Sequence, residues 1–227
     1  WVMEMSMPLT GFTKDMVPPE VTRAYKRAHW GPSVKVYAPL KPSFFTDPSN
    51  KIPQILVTDT FLHDVYAYKY GVGDYEFPCI LMSYTWEDDS EKFASLRDDA
   101  AIIDKIVDEL DRILMRSTNI KQSISPYILK EHGVVQRWSE DGYAKGCAKF
   151  YRAGGYADAA RLAAYTGKYS DKSGLYLAGE GYSLDGGWTE PCFRGAADTV
   201  IHLLKNTASK FNGGFTLADY PSIYVPD

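Results

Sequence analysis

The segment spanning residues 176–204 carries residue types that could bind an electron-rich group. It reads YLAGEGYSLDGGWTEPCFRGAADTVIHLL, and Glu180 follows its opening apolar run, which predicts a strand. A carboxylate at that place can accept hydrogen bonds from hydroxyl groups. The GGW turn at residues 186–188 precedes TEP at residues 189–191, which predicts a helix start because Thr can cap and Pro fits the first turn. The N–H groups of such a helix start point at an electron-rich ligand.

This segment resembles the C-terminal flavin-binding signature of the flavin-dependent amine oxidases, and its Gly-Trp pair resembles their L-amino-acid oxidase and monooxygenase branch most closely. The resemblance implies FAD as cofactor. It implies that Gly179 and Glu180 bind FAD near its ribityl and phosphate region. It also implies that Gly187 and Trp188 border both the flavin and the substrate amine, and that Thr189 donates its backbone N–H to flavin O2.

Three more segments resemble the same family, in the family's order, so that the resemblance covers roughly residues 1–206. VTRAYKRAHWGPSVKVY resembles the segment that delivers a catalytic lysine, here Lys35, which holds a water against flavin N5. CILMSYTWEDDSEKF resembles the segment whose tyrosine, here Tyr84, binds the substrate carboxylate, with Trp86 as a candidate pocket wall. VVQRWSEDGYAKGCAKF resembles the segment whose tryptophan, here Trp138, packs beside the flavin. The alternatives are a solvent-facing lysine and two core aromatics.

The dinucleotide fingerprint G-x-G-x-x-G does not occur in these 227 residues. The family carries this fingerprint near its N-terminus, in the βαβ unit that holds the ADP half of FAD. We therefore expect this chain to be the C-terminal chain of a split or proteolytically processed enzyme. Its expected partner is the N-terminal FAD-binding chain of the same enzyme, in a hetero-oligomer.

Composition excludes several classes of partner. A net charge of -4 with scattered basic residues argues against nucleic acid. No stretch reaches the roughly 20 apolar residues of a membrane span, so no membrane partner is expected. Cys79, Cys147 and Cys192 are too few for a disulfide scaffold, and no Cys/His spacing matches a zinc site. The acids at residues 87–89 are expected to lie at the start of a helix rather than to bind metal. The compartment stays open.

Hydrophobic periodicity predicts the elements that position these residues. Apolar residues at 3.6-residue spacing over residues 91–115 predict one long amphipathic helix that covers a sheet. The sheet is expected to be mixed or antiparallel. Strands are predicted at residues 2–7, 34–38, 55–58, 65–70, 77–84, 134–138 and 175–178. Helices are predicted from residue 19, over residues 158–165 and from residue 189 to about residue 209, and loops over residues 40–54 and 139–155.

These elements predict an α/β fold of mixed type, with a substrate-binding mixed sheet and its covering helix. With the resemblance, the remaining elements are expected to form the C-terminal part of a Rossmann-like FAD domain. Residues 1–31 are predicted as a segment of the FAD domain, residues 32–140 as the substrate-binding domain, and residues 141–227 as the completion of the FAD domain.

The resemblance implies FAD-dependent oxidation of a small-molecule L-amino acid with O2, by oxidative deamination or oxidative decarboxylation. A primary amine or polyamine oxidase is one alternative, and it would have no use for a carboxylate-binding Tyr84. A non-catalytic subunit that keeps the scaffold is the other. The identity of the amino acid and the choice between oxidase and monooxygenase stay open at this point.

Overall fold

The computed structural model describes residues 16–94, 96–168, 174–209 and residue 213. The strand predicted over residues 2–7 lies outside the described residues. Contacts divide the chain into unit 1, made of Trp1–Gly31 and Cys147–Asp227, and unit 2, made of Pro32–Gly146. The assignment of parts of the chain to cofactor- and substrate-binding domains stays a prediction.

Seven strands and six α-helices occur in the described residues. The strands are β1 (His29–Gly31), β2 (Ser33–Pro39), β3 (Ile55–Val57), β4 (Asp64–Tyr70), β5 (Phe77–Trp86), β6 (Val134–Arg137) and β7 (Ala148–Phe150). The helices are α1 (Pro19–Arg27), α2 (Ser43–Thr46), α3 (Glu87–Ala94), α4 (Asp99–Arg116), α5 (Tyr156–Lys168) and α6 (Thr189–Asn206).

Unit 2 contains a five-stranded sheet in the order β3-β4-β5-β2-β6. Every neighbouring pair is antiparallel, so the predicted mixed sheet is wrong and the antiparallel alternative is the one observed. Successive residues of a strand point to opposite faces of the sheet. Val34, Val36 and Ala38 of β2 are therefore buried on one face, in the same core as Ile106 and Leu110 of α4. The predicted α/β class, with a sheet and a covering helix, is confirmed at this level.

The single helix predicted over residues 91–115 is wrong. The structure has two helices there, α3 and α4, and the second begins at its own cap, where the Asp98 side chain accepts a hydrogen bond from Ala101 N at 3.1 Å. Leu96, predicted to belong to the apolar stripe, is 44% exposed. Helical spacing on both sides of the break suggested continuity, whereas Asp98 stabilises a new start. The acids at residues 87–89 form the first turn of α3, as expected.

Unit 1 has a smaller core between two helices. Val21 and Ala24 of α1 pack with Leu162 and Tyr165 of α5 and with Leu177. Strands β1 and β7 form a separate two-stranded antiparallel sheet. The Rossmann-like character of this unit stays a prediction. Among the described residues, no helix combines the length and the apolar character needed to cross a membrane.

Two stretches predicted as loops contain regular structure. Residues 40–54 include α2, and Phe44 and Ile52 there are buried in the core of unit 2. Residues 139–155 include β7, which pairs with β1. Both elements are short, and tertiary burial and pairing stabilise them where local composition favours loops.

Two predictions for residues 175–209 are also wrong. Residues 175–178 belong to neither sheet in the part of the chain that the structure describes. Leu177 of this stretch is buried by packing against α1 and α5. Thr189 does not cap α6 either, because it is the first helical residue and Trp188 holds the cap position. The helix ends at Asn206 rather than near residue 209.

Candidate functional site

The predicted site residues of unit 2 lie on the sheet face opposite the core. Lys35 of β2 is directly opposite Tyr84 of β5 on one side and Gln136 of β6 on the other. Directly opposed residues of antiparallel strands share a face. Lys35 Nζ lies 4.5 Å from the centroid of the Tyr84 ring, and the Tyr84 and Trp86 ring centroids are 4.8 Å apart. The register thus brings a cation, a phenol and an indole together.

A second row on this face lies beside the first. Ser33 is opposite Trp86, and Trp138 N donates a hydrogen bond to Ser33 O at 3.1 Å. Ser33 Oγ and Trp138 Nε1 are buried, and neither has a hydrogen-bond partner among the described groups. Buried polar atoms are normally satisfied in folded proteins. These two unsatisfied atoms, Ser33 Oγ and Trp138 Nε1, are therefore available to hydrogen-bond a ligand. The sequence prediction included Trp138 but missed Ser33, which only strand pairing places here.

The position of Tyr84 is supported from the neighbouring loop. Tyr84 N donates to Leu62 O at 3.3 Å, and His63, with a φ of 55°, forms a bridge with Tyr84. His63 Nε2 lies 2.5 Å from Asp89 Oδ2 in α3. Hydrogen bonds from Lys92 and then from His63 lower the pKa of Asp89. A non-glycine residue in the left-handed region is strained, and such strain concentrates at functional sites.

In unit 1, hydrogen bonds of Glu180 connect the predicted cofactor loop, defined as residues 179–188, to β7. Its Oε1 accepts hydrogen bonds from Lys149 N at 2.6 Å and from Gly187 N at 3.0 Å. This contact joins the two ends of the loop to one strand. The proposed contact of Glu180 with FAD stays a prediction.

Glycines allow the cofactor loop its close approach to β7. A Cβ at Gly186 would lie 1.8 Å from Lys149 O, which is sterically forbidden. Gly187 has a φ of 81° and Gly179 a φ of 107°, values that L side chains rarely adopt. Each of these positions therefore requires glycine.

The loop ends at the start of α6 with an exposed indole. Trp188 is 74% exposed and makes no side-chain cap. The N–H groups of Thr189 and Glu190 have no intrahelical acceptor because they lie in the first turn. The positive end of the helix dipole lies at the same place. These features can bind a group that carries partial or full negative charge.

Lys149 lies beneath this loop and was missed by sequence reasoning. Its side chain is fully buried, and Nζ donates to Gly181 O at 3.0 Å and to Ser183 O at 2.7 Å. Burial lowers the pKa of Lys149 to about 8. The available signal was a lysine directly between Ala148 and Phe150 in a stretch otherwise predicted as loop.

A cavity of about 550 Å³ opens between the cofactor loop, β7 and the start of α6. Its lining includes Lys149, Tyr151, Trp188 and Glu190. Together with the uncapped helix start, this cavity fits the binding of an aromatic, electron-rich cofactor such as a flavin. No cluster of three or more His, Cys, Asp or Glu suited to a metal ion occurs among the residues described.

The predicted site residues therefore form two groups. Lys35, Tyr84 and Trp138 belong to unit 2, where Lys35 and Tyr84 lie opposite each other and Trp138 N donates to Ser33 O. The other group belongs to unit 1 and consists of Gly179, Glu180, Gly187, Trp188 and Thr189. The roles of all eight residues stay predictions.

Comparison with known proteins gives a family match over most of the chain. The family described as "Flavin containing amine oxidoreductase" matches residues 2–201. Three relatives are each named tryptophan 2-monooxygenase. The protein of Pseudomonas savastanoi is 28% identical over 205 residues, which is 86% of this chain and 35% of the relative. The protein of Pantoea agglomerans pv. gypsophilae is 27% identical over 90% of this chain and 36% of the relative. The protein of Agrobacterium vitis is 27% identical over 88% of this chain and 26% of the relative. The chain thus spans between 26% and 36% of the length of these relatives.

Proposed function

Because the chain belongs to the flavin containing amine oxidoreductase family, we propose that it is part of an FAD-dependent enzyme that oxidises an L-amino acid with O2. The observation that carries this proposal is the placement of Lys35 against Tyr84 on one sheet face, with Nζ 4.5 Å from the ring. Because the relatives bear the name tryptophan 2-monooxygenase, we propose an aromatic L-amino acid as substrate and its oxidative decarboxylation to an amide as the outcome.

The residues of unit 2 would bind and orient the substrate. The Tyr84 phenol can donate a hydrogen bond to the substrate carboxylate, and the neighbouring Trp86 ring offers an apolar wall. Lys35 would hold a water molecule against flavin N5, and Trp138 would pack against the flavin ring. The α-carbon and its acceptor must then approach to about 3 to 3.5 Å, which such positioning promotes.

The residues of unit 1 would hold the flavin. When bound, FAD supplies the acceptor for the hydride of the α-carbon. Glu180 maintains the cofactor loop through its contacts with Lys149 N and Gly187 N. The N–H groups at Thr189 and Glu190 and the helix dipole favour negative charge at the start of α6. The Gly187 carbonyl and Trp188 would border the substrate amine.

The ADP half of FAD requires residues beyond those of this chain. No G-x-G-x-x-G occurs in it, and it spans 36% or less of the three relatives. We propose that a further part of the same enzyme binds the ADP half, and an N-terminal FAD-binding chain in a hetero-oligomer is one form of this arrangement. Intact mass of the native protein identifies every polypeptide that it contains.

The proposed function is tested with the native protein that contains this chain. The visible spectrum should show a bound flavin, and L-tryptophan should bleach it when O2 is absent. With O2, we expect the indole amide and CO2 as products. A 2-oxo acid with ammonia and hydrogen peroxide would instead indicate an oxidase.

The other outcomes decide against the proposal. Faster bleaching by tryptamine, which lacks the carboxylate, would indicate a primary amine oxidase. A colourless protein that takes up no FAD would indicate a non-catalytic subunit.

A further inference from the structure

Lys149 is a buried titratable group that the mechanism above does not use. It holds the cofactor loop at three points: its backbone N–H donates to Glu180 Oε1, and Nζ donates to Gly181 O and Ser183 O. Nζ also lies 4.6 Å from the centroid of the Tyr151 ring, whose hydroxyl donates to Ser183 O at 3.0 Å. The ammonium is thus enclosed by the loop.

The positive charge of the Lys149 side chain is not neutralised by an ion pair among the described residues. Its side-chain partners are two carbonyl oxygens and an aromatic ring, and no ion pair joins it to a carboxylate in the described part of the chain. Burial of an ammonium is unfavourable when it is not paired with a negative charge. A nonpolar side chain of similar length would avoid this desolvation. The fold nevertheless places the charge at the cavity that also contacts the start of α6.

We propose that Lys149 is a positioning residue for the flavin: it holds the cofactor loop and adds positive charge beneath the start of α6, which favours the negatively charged, reduced form of the bound ring. This inference rests on the proposed function. In the reaction considered, the amino acid gives a hydride to the ring and becomes the imino acid. When bound, the flavin would accept this hydride as two electrons and one proton, and the ammonium of Lys149 would stabilise the one negative charge that results.

Coulomb's law gives the expected effect of the Lys149 charge on the reduction potential of the flavin. At a separation of about 8 Å and an effective dielectric constant of about 20, two unit charges interact strongly enough to change an equilibrium about 10- to 30-fold. For a two-electron couple, this corresponds to about 30 to 45 mV. Lys149→Met should therefore lower the reduction potential of the bound flavin by this amount.

A matched variant separates a local effect from a general loss of charge. Lys205 is exposed in the last turn of α6, about 24 Å along the helix axis from its start. Lys205→Met removes the same charge, and the potential should stay that of the wild type.

The pH dependence of the wild-type potential gives a second measurement, which needs no variant at Lys149. Negative charge on the reduced ring should raise the pKa of Lys149 from its value of about 8. Between pH of about 8 and about 9.5, reduction should then take up an additional fraction of a proton, about 0.5 to 0.7 at its maximum for a 10- to 30-fold effect. The charges of Glu180 and Cys192 act on this ammonium, and the cavity that it faces is also lined by Tyr151, Asp185, Glu190 and Arg194. Because burial raises the pKa of Cys192, Cys192→Ala serves as a control that should keep the additional proton uptake.

The measurements distinguish the two proposals. An unchanged potential in Lys149→Met, or a wild-type slope that stays at one proton per two electrons from pH 6.5 to 9.5, would overturn the role of Lys149. The proposed function would stand in that case if L-tryptophan still bleached the flavin. If Lys149→Met does not bind FAD, the pH dependence of the wild-type reduction potential alone tests the role of Lys149. A protein without flavin would overturn both proposals.

Discussion

Tyr84 and Lys35 illustrate how two side chains 49 positions apart become one feature. Their strands pair antiparallel, and the register places them opposite each other, with Lys35 Nζ 4.5 Å from the Tyr84 ring. The opposite face of β2 is buried in the core. A lysine between Val34 and Val36 is therefore on the face opposite the core, together with the aromatic residues of β5, and this placement favours a role in a ligand site.

Tyr84→Phe should weaken amino-acid substrates selectively. It deletes one hydrogen bond to a charged carboxylate and changes little volume. Such bonds contribute about 1.5 to 3 kcal/mol, so kcat/KM should fall about 10- to 150-fold. A carboxylate-free amine should be affected little, and Tyr70→Phe, at an exposed residue of β4, should behave as the wild type. Equal losses for both kinds of substrate would contradict a carboxylate contact.

Lys35→Met should leave FAD bound and slow turnover. The variant keeps the aliphatic stem but cannot hold a water against flavin N5. We expect flavin reduction, reoxidation or both to slow by about 10- to 100-fold in single-turnover measurements. Lys69→Met is the control, since Lys69 is an exposed strand lysine paired with Glu76. Wild-type rates in both half-reactions of Lys35→Met would remove Lys35 from the active site.

At the scale of elements, the break between α3 and α4 depends on Asp98. Its carboxylate accepts a hydrogen bond from Ala101 N, and loss of such a cap costs about 0.5 to 2 kcal/mol. Asp98→Ala should reduce the free energy of unfolding by this amount, measured by urea unfolding. Asp108→Ala, on the exposed face of α4, should change it by less than about 0.5 kcal/mol. Similar effects of the two substitutions would show that the cap contributes nothing specific.

The approach of the cofactor loop to β7 depends on Gly186. An added Cβ would lie 1.8 Å from Lys149 O, so Gly186→Ala must displace the loop. We expect FAD affinity of the native enzyme to fall at least about 10-fold, because misplaced binding groups lose their contacts. Gly142→Ala is the control, since a Cβ there meets nothing within 4 Å. Wild-type FAD affinity in Gly186→Ala would show that this part of the loop does not contribute to binding.

For the whole molecule, Lys149 links stability to pH. Burial lowers its pKa to about 8, whereas the unfolded chain keeps the ordinary value of 10.5. Between these values the unfolded state binds more protons, so this group's contribution to the free energy of unfolding rises with pH. Below pH of about 8 both states are protonated and the full penalty of the buried charge is present. The gain from pH 8 to 10.5 is on the order of 3 kcal/mol.

The measurement compares the chain with its Lys149→Met variant, which lacks this titration. The difference in free energy of unfolding should change in favour of the wild type as the pH rises from 8 to 10.5. Lys205→Met should show no such change because Lys205 is exposed. A difference that does not vary with pH would mean that Lys149 titrates alike in the folded and unfolded states.

The sequence by itself determined what depends on local pattern. Strands β2, β4 and β5 were predicted because their apolar and β-branched residues lie within short continuous segments. The family was predicted from segment resemblance, and the match over residues 2–201 confirms it. Lys35, Tyr84 and Trp138 were selected in the same way, since each lies inside one contiguous motif.

Only the tertiary structure decided what depends on residues far apart in the chain. The opposition of Lys35 and Tyr84, the row of Ser33 and Trp138, and the burial of Lys149 follow from strand register and loop packing. The wrong strand prediction has the same cause. Residues 175–178 are apolar, as a strand should be, but they belong to neither sheet in the described structure. Periodicity reports which side of a segment is apolar, whereas pairing and burial depend on the free energy of contacts between segments, which no local pattern contains.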